Sequence, residues 1–246
     1  MIRIAVFSDI HANLPALRAV LGDIEKRHIN LCYCLGDLVD FAPWGNEVIE
    51  LFKEKQIPCL LGNHDERIAF DYPIYPLPHH DELETANRIL AIDYSKRVIT
   101  PENKQWLAQL PFQLELAFKL GGHLKRILLV HASPRNNDEY IHESYSAAAL
   151  LEMLGDRKID ALLMGHTHQS YIKQSEVLFV NCGSVGRSKE PDRKATYCVI
   201  TISEAGIQPE LIKVDYPVDY VAGEIYASSI PDFYADFLVQ KYSVTP

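Results

Sequence analysis

Hydrophobic positions along the chain fall into short continuous runs, and most runs stop at residues capable of chemistry. Ile2 to Phe7 is a β-type run ending at Ser8-Asp9-Ile10-His11. Leu14, Leu17, Leu21 and Ile24 then recur at helical spacing, with Asn13 placed to cap the first turn. Leu31 to Leu35 is a second run and stops at Gly36-Asp37-Leu38-Val39-Asp40, after which Pro43 opens a helix with Val48, Ile49 and Phe52 turned inward. A third run, Ile57 to Leu61, leads into Gly62-Asn63-His64-Asp65, where a buried strand is expected to end and a loop to open.

The strand-helix rhythm breaks over residues 66–110, which read as an insertion over a site. Helical pattern is weak near 81–96 and firmer after Thr100-Pro101, and the His79-His80 pair reads as solvated surface. Phe112 to Leu120 alternates, Gly121-Gly122 turns, and Ile127 to Val130 is a strand ending at His131. A helix over Ala147, Leu150, Leu151 and Leu154 closes near Gly155, and the strand Ile159 to Met164 ends at Gly165-His166-Thr167-His168. Tyr171 to Lys173, Val177 to Val180, Ala195 to Ile202 and Gln208 to Val214 are short strands. From about 216 the tail is aromatic-rich and helical, fit to cover the core or to form an interface between copies of a homo-oligomer. With no repeat or linker, residues 1–246 read as a single α/β domain.

A chain of 246 residues that is 48% hydrophobic can bury a full core, and its formal charge of -9 disfavours a long polyanion or an anionic membrane as partner. Bound divalent cations would offset part of that charge. The five cysteines mostly fall inside apolar runs and read as reduced core residues; Cys32-x-Cys34 has no second pair at zinc-finger spacing. No stretch resembles a leader or a membrane span, so a cytoplasmic protein is expected.

Strand ends on one edge of a sheet lie close together, so Asp9/His11, Asp37/Asp40, Asn63/His64, His131 and His166/His168 can meet despite their separation in the chain. Carboxylate, imidazole and amide oxygen suit manganese, iron or zinc, and the set is too rich in nitrogen for a calcium or magnesium cage. The reading is a dinuclear centre. Asp37 bridges; Asp9, His11 and His168 complete one metal, and Asn63, His131 and His166 the other. Two ions about 3.5 to 4 Å apart generate hydroxide at neutral pH and neutralise phosphoryl charge. His64 is placed to protonate the leaving alkoxide, with Asp65 or another carboxylate holding its tautomer. Asn181 and Ser184, where another run ends, are candidates for substrate contact, although Asn-x-Gly-Ser also suits a tight turn.

The series Asp9-x-His11, Gly36-Asp37-x-x-Asp40, Gly62-Asn63-His64-Asp65, His131 and Gly165-His166-x-His168 resembles the calcineurin-like metallophosphoesterase superfamily, with every motif in order. The resemblance implies a four-layer αββα sandwich with the dimetal site at its edge. Residues 36–43 followed by 46–49, and 181–186 followed by Ala195-Thr196-Tyr197, are similar to the small bacterial and archaeal branch described as phosphodiesterases or relatives of diadenosine tetraphosphate hydrolases. That branch commonly carries Gly-Tyr in place of Asp40-Phe41 and Pro in place of Cys182. The expected activity is hydrolysis of a small phosphodiester, nucleotide or dinucleotide, with a phosphomonoesterase or phosphoprotein phosphatase as the alternative. A non-catalytic scaffold is disfavoured because His64 and all the ligands are present, and a nuclease because no basic stripe exists.

Overall fold

The computed structural model describes residues 1–77 and 80–240. β1 (Ile2–Phe7) leads into α1 (Leu14–Lys26), where the Asn13 side-chain oxygen accepts the Ala16 N–H at 3.1 Å and satisfies a donor the helix cannot. Ala16, Leu17, Val20 and Ile24 form its buried face, while Leu14 and Leu21 are only half-buried. β2 (Cys32–Cys34) is followed by α2 (Gly45–Lys55), which buries Val48, Ile49 and Phe52. The run 57–61 differs from expectation. It makes a single parallel bridge, Cys59 to Cys34, because Pro58 has no N–H to extend a ladder and the chain then turns into α3 (Asn63–Ala69). Gly62-Asn63-His64-Asp65 is therefore the start of a helix and not an open loop. The Asp65 carboxylate accepts the Gly62 N–H at 3.1 Å and closes that first turn.

The stretch beyond α3 holds α4 (Glu82–Val98) and α5 (Pro101–Leu107), capped by Asp81 and Thr100 respectively. Then come β3 (Gln113–Leu120), β4 (His123–Val130), α6 (Ala147–Leu154), β5 (Ala161–Met164), β6 (Tyr171–Gln174), β7 (Leu178–Asn181), β8 (Ala195–Ser203) and β9 (Gly206–Val214). The chain's described part closes with α7 (Val218–Tyr226) and α8 (Asp232–Leu238). No described helix is long and apolar enough to cross a membrane.

Two sheets result. One has the order β2-β1-β8-β9, with β1 and β2 parallel; the other has β3-β4-β5-β7-β6, with β4, β5 and β7 parallel. Alternation along the strands builds the layers. Ile4 and Val6 of β1, Cys198 and Ile200 of β8, Ile127 and Leu129 of β4, and Ala161 and Leu163 of β5 share the core between the sheets. Their neighbours Ala5, Phe7, Tyr197 and Val199 face the helical layer of α1 and α2. Leu128, Val130, Leu162 and Met164 face α6 on the far side. Strands buried on both faces must read as unbroken apolar runs. This is an αββα sandwich, and the parallel strands β1, β2, β4, β5 and β7 direct their C-terminal ends to one edge. There the Asp9 N–H donates to Gly36 O at 3.0 Å, and the Gly165 N–H donates to His131 O at 2.8 Å.

Candidate metal centre

At that edge the loops leave the strands through left-handed backbone. Asp9 (φ 56°), His11 (48°), Asp37 (57°), Asp40 (74°), His166 (67°) and His168 (61°) all have positive φ without being glycine. Each such residue costs of order 1 kcal/mol or more, and such strain persists only where the surroundings over-determine it. Here hydrogen bonds between the loops do so: the His166 N–H donates across the sheets to Asp9 Oδ2 at 2.9 Å, and the His11 N–H to Asp37 O, on the neighbouring loop of its own sheet, at 2.9 Å.

The result is two buried triads, Asp9/His11/His168 and Asp37/His131/His166, each with its ligand atoms within 4.8 Å of one another. Asp37 Oδ2 lies 3.8 Å from His11 Nε2 and 3.4 Å from His131 Nε2, so it faces both groups. Asn63 joins the second, its Oδ1 being 3.0 Å from His131 Nε2 and 3.1 Å from His166 Nδ1.

The hydrogen-bond chemistry of these residues suits bound cations. His11 Nδ1 lies 3.1 Å from Val39 O and His168 Nδ1 lies 2.8 Å from Arg187 O, so both rings donate to carbonyls through Nδ1. Their Nε2 lone pairs then face each other at 3.0 Å. A metal ion between them, accepting both lone pairs, removes the conflict that two neutral rings leave. His166 sits beside Asn63 Oδ1 through Nδ1 while its Nε2 is buried without a hydrogen-bond partner, and Asp9 Oδ1, which accepts no hydrogen bond, lies 3.2 Å from His168 Nε2, so in either tautomer the His166 ring has at least one unmatched nitrogen. Burial, reinforced by neighbouring histidines, pushes His11 and His166 down to about 3, which keeps both neutral and fit to ligate. Asp37 is buried, yet the charges of His131 and His64 hold it well below the usual carboxylate range. The donor set fits two divalent ions, one per triad.

Two other marked residues sit beside the centre. The His64 N–H donates to Asp37 Oδ1 at 2.8 Å, and its Nδ1 lies 2.5 Å from Asp40 Oδ2. Asp65 does not reach the ring: its carboxylate accepts the N–H groups of Asp37 (2.7 Å), Leu38 (2.8 Å) and Gly62 (3.1 Å). Burial raises Asp40 to about 7 and Asp65 to about 8.

Asn181 and Ser184, marked for substrate contact, are fully buried and spend their polar atoms on the loops. Asn181 Nδ2 donates to Gly165 O at 2.7 Å and to Thr167 Oγ1 at 3.0 Å, and its Oδ1 accepts the Gly183 N–H. Ser184 Oγ donates to Asp9 O at 2.8 Å and accepts the Arg187 N–H at 2.9 Å. Neither presents a group to the pocket; both brace the backbone that carries the ligands.

Sequence comparison agrees with this geometry. The family model described as calcineurin-like phosphoesterase matches residues 2–170. The chain belongs to the calcineurin-like phosphoesterase family. An uncharacterised protein of Methanocaldococcus jannaschii is 29% identical over 250 residues, covering 96% of each chain. A metallophosphoesterase from Sphaerobacter thermophilus superposes with a TM-score of 0.75 at 24% identity, over 97% of this chain and 99% of that one. A hypothetical protein from Pyrococcus horikoshii OT3 gives 0.79 at 23% identity, over 97% and 98%. With two acid-imidazole triads on this fold, this member of the family is a metal-dependent phosphoric ester hydrolase.

Above the centre lies a small pocket of about 40 Å³, open to solvent, whose lining includes His64, Tyr140, Arg88, Arg187, Lys189 and Tyr234. Of the His79-His80 pair, His79 lies outside the described residues, and His80 lines this pocket where a solvated surface position was expected. Arg187 and Lys189 were missed in the sequence, although they follow directly on the marked segment 181–186. Arg88 carried no signal, lying on a helix of weak amphipathic pattern.

Proposed function

We propose that the chain hydrolyses a small phosphodiester, nucleotide or dinucleotide, and that it sits in the small bacterial and archaeal phosphodiesterase branch of its family. The observation that carries this reading is Asp37 facing both triads, with His64 anchored to it and turned toward the pocket. Asp37 would be shared between the two ions; Asp9, His11 and His168 would hold one, and Asn63, His131 and His166 the other. Two divalent ions held there would supply an activated water and neutralise charge on the phosphoryl oxygens.

The rest falls to the protein. His64 gives the leaving oxygen its proton from Nε2, and Asp40, bonded to Nδ1, fixes the orientation of the ring. Asp65 has a positioning role, tying Asp37, Leu38 and Gly62 together through backbone N–H groups. The formal charge of -9 supports a small substrate over long nucleic acid.

Recombinant chain loaded with Mn²⁺ would be assayed on bis-p-nitrophenyl phosphate, p-nitrophenyl phosphate and diadenosine tetraphosphate. Turnover highest on a diester or the dinucleotide supports the reading. Preference for the monoester moves the assignment to a phosphomonoesterase, and no turnover on any ester removes it.

A further inference from the structure

The pocket over the metal centre holds more positive charge than one phosphoryl group requires. The carboxylates in its lining are Asp37, already part of the centre, and Glu84, whereas Arg88, Arg187 and Lys189 all border it. Arg187 is the most telling of the three. Its Cζ lies 4.8 Å from the Phe41 ring, 4.8 Å from Phe237 and 5.4 Å from Tyr234. Its Nε is buried without an acceptor, and among the described residues no hydrogen bond or ion pair reaches the guanidinium.

Such a group is costly to desolvate, and aromatic faces compensate only in part. They do hold the planar fork in one orientation, the arrangement that suits paired hydrogen bonds to a phosphate. The backbone beneath is equally fixed: the Arg187 N–H donates to Ser184 Oγ, and its carbonyl accepts from His168. The Phe41 ring is 4.8 Å from the His11 ring as well, which puts the guanidinium within one nucleotide's reach of the centre.

Lys189 lies beside the same space, 6.0 Å from the Tyr140 ring, and makes no close ion pair among the described residues, with Asp9 and Glu84 the nearest acidic influences on it. Arg88 enters from α4, buried and held by Tyr75 O at 2.9 Å. Three cations converging on one space match a group of about two negative charges, as a phosphate monoester carries, better than the single charge of a carboxylate.

We propose that Arg187, flanked by Lys189 and Arg88, forms a second anion subsite, and that the substrate is a phosphodiester bearing a further phosphate about one nucleotide unit from the scissile one. The inference rests on the phosphoesterase reading above and goes beyond it by naming the second charge.

Thymidine 5′-(p-nitrophenyl phosphate) and its 3′-phosphorylated form provide a matched pair of esters. With Mn²⁺-loaded enzyme, kcat/KM for the 3′-phosphorylated ester is expected to exceed that for the other by about tenfold or more. Arg187→Gln should bring the ratio close to one, Arg187→Lys should keep part of it, and Lys189→Gln, which leaves the aromatic packing intact, should lower it. A wild-type ratio near one overturns the proposal. So does an equal loss on both esters in Arg187→Gln, which would place the guanidinium on the scissile group.

Failure to turn over either ester, or bis-p-nitrophenyl phosphate, would strike the phosphoesterase reading instead. Calorimetry on the Mn²⁺-loaded protein then decides the subsite. Adenosine 3′,5′-bisphosphate should bind about tenfold tighter than adenosine 5′-monophosphate, with the difference lost in Arg187→Gln. Equal binding of the two overturns it.

Discussion

The Asp40 carboxylate lies 2.5 Å from Nδ1 of His64, which leaves the other ring nitrogen for the pocket. Rings of His11 and Phe41 pack against His64 at 5.1 and 4.9 Å and limit its rotation. An acid held this way matters most when the leaving oxygen is strongly basic. Asp40→Asn and His64→Ala are therefore expected to lower kcat by about 10²-fold or more on a diester with an alkyl leaving group. On a p-nitrophenyl ester, whose leaving group needs little protonation, the loss should be less than about tenfold. Elemental analysis should find both metals present; their loss in His64→Ala would make that residue a ligand.

How much of this was legible can be judged from the same residues. Asp9, His11, Asp37, His131, His166 and His168 stood out because each follows an apolar run. Runs are unbroken where a strand is covered on both faces, so they marked the parallel strands and their shared edge. The partner of His64 was left open between Asp65 and another carboxylate. Once Asn63 starts a helix, His64 and Asp65 project about 100° apart, and Asp65 turns to backbone N–H groups while Asp40 arrives from the loop after β2. Asn181 and Ser184 were visible as residues, but the direction of their side chains is decided by loops 165–167 and 9–11. Arg187 acquires its surroundings only when α8, far along the chain, folds back on Phe41.

Metal removal should destabilise the fold as well as silence it. Asp9 and Asp37 are buried together, and neither has a lysine or arginine among its ion pairs. Ions that bind the native state alone stabilise by mass action, about 2.7 kcal/mol at a hundredfold excess over Kd. Thermal unfolding followed with added Mn²⁺ should show Tm rising with concentration, and Asp37→Asn should bind at most one ion and flatten that rise. A Tm indifferent to Mn²⁺ in the wild type would contradict the two-ion centre.

A separate acid sensitivity is expected on the helical face of the β1-containing sheet. Asp23 Oδ2 accepts from the Tyr197 hydroxyl at 2.6 Å and from Arg27 Nε at 2.7 Å. Burial alone would raise this carboxyl, but the Tyr197 and Arg27 bonds outweigh it and hold it below its ordinary value of 3.8. A depressed folded pKa contributes stability above the unfolded value and loses it as pH falls through the folded one. Asp23→Asn should therefore cost about 1 kcal/mol near neutral pH, discounted because 26% of the side chain remains exposed. The gap to wild type should begin to narrow below about pH 4 and close as pH falls past the lower folded value, as read in urea titrations. A gap independent of pH would show that shape, and not charge, is what Asp23 contributes.

Gly165 separates the end of β5 from His166, and its value lies in the absence of a side chain. A Cβ built there would stand 2.2 Å from Ser8 Oγ and 2.6 Å from Asp9 Oδ2, the same oxygen that accepts the His166 N–H. Ser8 and Asp9 are both fully buried and cannot swing into solvent. Gly165→Ala must then push the Asp9 carboxylate away from His11 and His168, or move the loop that carries His166. Either displacement disorganises ligands while leaving the sheet and its cores in place. Metal affinity should fall about 10- to 100-fold, in the range seen when groups supporting a ligand are lost. Circular dichroism of the metal-free variant should match that of metal-free wild type, which separates a damaged centre from a damaged fold. Unchanged affinity would mean that the two sheets can shift apart at this edge, contrary to the close contact of Gly165 with Ser8 and Asp9, just after β1.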